Sequence, residues 1–194
     1  PVKNPIPNKD YYKVRNGLKS SLQTISETQN LTVAFLGGSI TYSPGWRTKT
    51  GAYLKECFPG TAFRFIAAGV PSLGSLPHAF RLQRDLLDSG KIDLLFLEAA
   101  VNDRANGTDS LTQIQSLEGI LRHAKTANPN MDIIMMSFAD PDKLQDYDQG
   151  KKPVEIINHE LVADHYQLPS LNLAKEVRDK IQQKEFSWTY DFKD

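Results

Sequence analysis

Short apolar runs alternate along the chain with longer stretches of helical periodicity, and Gly, Pro and polar residues separate them. The run at 31–36 (Leu-Thr-Val-Ala-Phe-Leu) is closed by Gly37-Gly38 and predicts a buried parallel strand. Residues 62–67, 92–97, 131–138 and 170–173 predict four more strands. Helices are predicted over 47–58, stopped by Pro59-Gly60, and over 76–87, ending at Ser89-Gly90. The clearest helical pattern covers 110–127, where Leu111, Ile114, Leu117, Ile120, Leu121 and Ala124 recur at helical spacing behind a candidate N-cap, Ser110. Residues 154–166 and 174–183 predict the last two helices. The polar stretch 140–152 reads as a loop. Residues 13–29 read as partly helical, and the first ten residues, with three prolines, as an extended arm.

Strands joined by crossing helices predict an α/β fold: a three-layer α/β/α sandwich around an open, parallel, five-stranded, flavodoxin-like sheet. Residues 1–30 are expected to form an arm and helix packed on a domain that starts at residue 31. A chain of 194 residues suits one core. Charge narrows the partners: 23 basic and 23 acidic residues cancel, and no basic run appears, which argues against nucleic acid. No apolar run approaches a membrane span, so no membrane partner is expected. Cys57 is the one cysteine, so no intrachain disulfide can form. The chain begins at Pro1 rather than Met, which is compatible with a removed signal peptide and slightly favours a secreted or periplasmic location over a cytoplasmic one.

Open α/β sheets place their sites beyond the carboxyl ends of the strands, near the point where strand order reverses. Three segments qualify. Gly37-Gly38-Ser39-Ile40-Thr41 follows the first strand and could expose Ser39 as a nucleophile, cradle a phosphate, or simply turn into a helix. The loop 68–75 follows the second strand and could aim main-chain N–H groups at one point. Glu98-Ala99-Ala100-Val101-Asn102-Asp103 follows the third, where Asn102 could donate from its neutral amide or close an Asx turn.

Taken in order, these segments resemble the SGNH subgroup of the GDSL hydrolases, and the resemblance runs from Leu31 onward. In that family the first block carries the serine nucleophile, here Ser39. The second supplies a main-chain donor to the oxyanion hole, here from Ser72, at the family's usual glycine position, or from Gly74. The third is Gly-x-Asn-Asp, here Ala100-Val101-Asn102-Asp103, with Ala in place of Gly. The fourth block, an Asp-x-x-His-Pro-like motif, is not matched in full. The segment 188–194 reads as its lead-in, with Asp194 as the candidate Asp and the His falling beyond residue 194.

The resemblance implies a serine esterase or deacetylase. It would remove a small acyl group such as acetyl from a small-molecule or glycan ester through a Ser39 acyl-enzyme, with Asn102 among the oxyanion donors and no cofactor. No His-x-x-x-His or Cys pair offers a metal site. Of the four histidines, His78 is expected nearest the site, His123 on the surface, and His159 and His165 far from the carboxyl edge. Trp46 and Trp188 flank the outer segments and are expected to pack on the core rather than stack on sugar. Two other readings stay open. One is a catalytically impaired SGNH scaffold that binds carbohydrate. The other is a phosphate- or nucleotide-binding protein, which would lack both Gly-x-Gly-x-x-Gly and the Walker lysine.

Overall fold

The five apolar runs form five parallel strands in the computed structural model, which describes residues 10–189. They are β2 (Asn30–Gly37), β3 (Ala62–Gly69), β4 (Leu94–Glu98), β5 (Asp132–Ser137) and β6 (Ser170–Asn172). A sixth strand, β1 (Tyr12–Lys13), pairs antiparallel with β6, giving the order β1-β6-β5-β4-β2-β3. The sheet is therefore mixed and six-stranded, which corrects the five-strand, all-parallel expectation. Two residues are too few for a hydrophobic pattern. They are held by Arg15, which donates to the Leu168 carbonyl at 2.6 Å and Ser170 Oγ at 2.7 Å and pairs with Glu160 and Asp164.

Helices cover both faces, which is why the strands read as continuous apolar runs rather than alternating ones. The helices are α1 (Lys19–Thr28), α2 (Ser39–Tyr42), α3 (Trp46–Cys57), α4 (Ser75–Asp85), α5 (Ala100–Ala105), α6 (Ser110–Ala127), α7 (Pro141–Asp148), α8 (Val154–His165) and α9 (Leu173–Gln182). Alternate strand residues point to opposite faces. Ala34, Leu36, Leu95, Leu97, Ile133 and Met135 join Leu82, Leu117, Ile120, Leu121 and Val162 from α4, α6 and α8. Val33, Phe35, Leu94, Phe96, Ile134 and Met136 meet Ile25, Trp46, Leu54 and Leu173 on the other side. Among the described residues no helix is long and apolar enough to cross a membrane.

Two local expectations change. The stretch 140–152 is not all loop but contains α7. Asp140 caps it, accepting from the Lys143 N–H at 2.9 Å, and Pro141 occupies its first turn. The N-cap of α6 is Asp109, not Ser110: its carboxylate accepts from the Thr112 N–H at 3.0 Å. The main positioning consequence is topological. The chain runs from β2 to β3 on one side and returns to β4 on the other, so the switch point lies at the carboxyl end of β2.

Candidate functional site

At that switch point β2 ends on Gly37, Gly38 caps α2, and Ser39 is the first helical residue, exposed to solvent. A four-residue helix cannot hold itself. Arg47, on α3, donates to the Thr41 carbonyl and, at 2.9 Å, to the Tyr42 carbonyl, groups that the short helix leaves without partners. Its neighbour Trp46 fixes α3 by packing edge-on against Phe35, Phe96 and Phe138 at centroid distances of 5.2, 5.9 and 5.4 Å. Trp46 thus packs on the core, as expected, whereas Trp188 is 45% exposed and departs from that expectation.

The three segments singled out from the sequence meet at Gly38. A β-carbon there would come within 1.9 Å of the Asn102 amide nitrogen and 3.6 Å of the Leu73 carbonyl, so the amide lies directly on the backbone before Ser39. Gly74 plays the matching part in the second segment, where a β-carbon would strike Asp103 Oδ1 at 2.4 Å. That oxygen accepts the Ser75 N–H at 2.7 Å and the Ser75 hydroxyl at 2.9 Å, tying the loop after β3 to α5. Ser72 is exposed and sits at φ +64°, a left-handed conformation in which glycine is the least strained residue. Asn106 Nδ2 donates to its carbonyl at 3.0 Å. Ser39, Ser72, Gly74 and Asn102 are therefore brought to one sheet edge. Asp194 lies outside the described residues.

Beneath this surface is a group of buried ionisable side chains. Asp103 is fully buried, and its second oxygen lies 3.4 Å from His159 Nε2. His159, expected far from the carboxyl edge, is thus packed under the third segment, because α8 crosses behind α5. His78 is also fully buried, with Nδ1 3.3 Å from Arg81 Nη1. A guanidinium can only donate, so Nδ1 accepts and the ring is neutral. Burial first, and then the Arg81 charge, push its pKa down to about 4. Glu98 is 1% exposed and its pKa is raised, chiefly by burial. His123 and His165 are exposed on α6 and α8, whose C-terminal ends lie toward the opposite edge of the sheet. Among the described residues no cluster of three or more His, Cys, Asp or Glu is placed to hold a metal ion.

Two outcomes follow from this packing. Gly38→Ala forces its β-carbon into the Asn102 amide and should cost about 1–3 kcal/mol in urea unfolding, the usual cost of overpacking. Gly119→Ala is the control: it lies inside α6 with no atom nearer than 4.0 Å and should gain about 1 kcal/mol. For His78, the unfolded chain takes up a proton near pH 6.5 and the folded chain only near about 4. Stability should therefore fall as pH drops through that window, by roughly 3 kcal/mol in total from this group. His78→Gln should flatten the loss between pH 6.5 and 4 relative to the parent, and parallel stability–pH curves for the two would contradict the assignment.

No protein-family model matches the sequence, and no curated protein matches it. Among solved structures the chain superposes on a two-domain esterase active on acetylated mannans, co-crystallised with mannopentaose, with TM-score 0.75 and 22% identity over 92% of this chain and 48% of that one. It also superposes on a variant of an acetyl-xylooligosaccharide esterase from a Geobacillus, with TM-score 0.67 and 13% identity over 78% of this chain and 80% of that one. A third match is the acetyl xylan esterase AlAXEase, with TM-score 0.66 and 18% identity over 80% and 84% of the two chains. The chain spans about half the length of the two-domain esterase. The chain shares the α/β fold of these carbohydrate esterases.

Proposed function

We propose that the chain is a serine esterase that removes a small acyl group, acetyl above all, from a carbohydrate through an acyl-enzyme on Ser39. The observation that carries this reading is the placement of the exposed Ser39 next to the Asn102 amide at the switch point of the sheet. The solved structures that share the fold support the substrate class, since three of them act on acetylated mannan, xylan or xylooligosaccharide.

The chemistry assigned to these groups is as follows. Ser39 Oγ attacks the ester carbonyl carbon, and its proton passes to a general base. The carbonyl oxygen becomes an oxyanion that accepts from the Asn102 amide, the Ser39 N–H and an N–H of the loop after β3, at Ser72 or Gly74. Collapse expels the sugar alkoxide, which takes the proton back from the base and leaves an acyl-serine. Water then repeats the sequence and releases the acid. The four histidines of the sequence are poorly placed for that role: His78 and His159 are buried, and His123 and His165 lie toward the far edge. The family resemblance assigns the base to a histidine that follows Asp194, with Asp194 holding that imidazole.

Intact-mass analysis after treatment with a fluorophosphonate tests the nucleophile. A chain continued to the natural C-terminus should be labelled once, and its Ser39→Ala variant not at all. Absence of labelling in a folded, continued chain would discard the esterase and favour a binding module on the same scaffold. Asn102→Ala in that chain should lower kcat by about 10²–10³-fold, as loss of one oxyanion donor does. Unchanged turnover would remove Asn102 from the mechanism.

A further inference from the structure

The helix that carries Asn102 is poorly equipped to hold itself. α5 has six residues, and its N-cap, Ala99, has no side chain that can accept a hydrogen bond. Three buried side chains anchor it. Glu98 Oε1 accepts the Val101 N–H at 3.1 Å. Asp103 binds Ser75, as described. The third is Lys143, which reaches in from α7 and donates from Nζ to the Ala100 carbonyl at 3.0 Å and to the Asp140 carboxylate.

Lys143 is fully buried, an unusual place for an ammonium on a helix whose neighbours are polar. A buried charge is tolerated only when its protons are used, and here one goes to a main-chain oxygen two residues before Asn102. α7 has other attachments. Tyr147 accepts from Asn172 at 2.8 Å, and Asp148 accepts from Arg178 at 3.0 Å. The far end of α5 is tied separately, by Arg104 to Asp146 at 2.5 Å. These bonds and the Arg104–Asp146 pair also seat α7, while the Lys143 ammonium links the cap of α7, Asp140, to the first turn of α5.

We propose that Lys143 is a positioning residue: its buried ammonium pins the Ala100 carbonyl and thereby holds the Asn102 amide against Gly38. The kinetic consequence rests on the esterase reading above; the geometric claim does not. Lys143 contacts no substrate and takes no part in proton transfer. It sets where one oxyanion donor stands.

The test uses Lys143→Met, which keeps the stem and removes the donor, and Lys143→Met with Asp140→Asn, which also removes the carboxylate left behind. The readout is the ¹⁵N–¹H signal pair of the Asn102 side-chain amide, assigned by its loss in Asn102→Asp, together with amide hydrogen exchange along residues 99–106. Expected are shifted or broadened Asn102 signals and about tenfold faster exchange in α5 than in the parent, with the strands unchanged. The double variant should regain thermal stability and keep the altered Asn102 signals. Unaltered Asn102 signals, exchange that quickens uniformly, or signals restored together with stability would each overturn the proposal.

In the continued chain, hydrolysis of 4-nitrophenyl acetate should show kcat lowered about tenfold with KM within about twofold, and no further loss when Lys143→Met is added to Asn102→Ala. Additive losses would also overturn it. If the continued parent chain hydrolyses nothing, the esterase reading falls, and the Asn102 signals still decide the role of Lys143.

Discussion

The absence of a β-carbon at Gly38 sets the spacing of the whole carboxyl edge. The Asn102 amide occupies the space a side chain would fill, and the Leu73 carbonyl closes the other side. Three segments from three different strands are packed to contact there. The contact depends on supports further out: Arg47 holding α2, Trp46 wedged among Phe35, Phe96 and Phe138, and Asp103 bound to Ser75. Each support is ordinary by itself. Together they leave Ser39 as an exposed side chain on a backbone with little freedom to move.

Buried ionisable side chains support that edge from below. Asp103, Glu98 and Lys143 are each no more than 1% exposed, and each is joined to main chain near the site. Ionised groups in such a place are expensive unless every one is paired. Each is held by hydrogen bonds, Asp103 from Ser75, Glu98 from the Val101 N–H, and Lys143 to Ala100 and Asp140, and His78 stays neutral beside Arg81. Polar groups used this way favour one packing arrangement over its near alternatives, because any slip strands a charge without its partner.

The sheet was legible in the sequence because both of its faces are covered, so each parallel strand appears as an unbroken apolar run bounded by turn residues. The site segments were legible because Gly, Ser and Asn fall at strand ends, where chemistry collects in this architecture. What was hidden depended on partners far along the chain. His159 meets Asp103 across 56 positions, and nothing near His159 announces it. Lys143 sits in a polar stretch whose one local cue, Asp140 followed by Pro141, marks the start of a helix and not the burial of its third residue. Ser72 takes a left-handed backbone that its identity does not reveal. β1 exists because Arg15 reaches across to α8 and β6, and a two-residue ladder leaves no periodic trace.

That ladder also has a temporal meaning. Tyr12 is paired with Leu171, so the first strand of the sheet finds its partner only in the last. Closing so long a loop carries a large entropic cost that local contacts cannot offset early. The parallel body from β2 to β5 can assemble while β1 is still unpaired, and during synthesis β1 waits for β6, which follows it by more than 150 residues. β1 covers the hydrogen-bonding edge of β6, an edge that would otherwise be open to pairing with another chain.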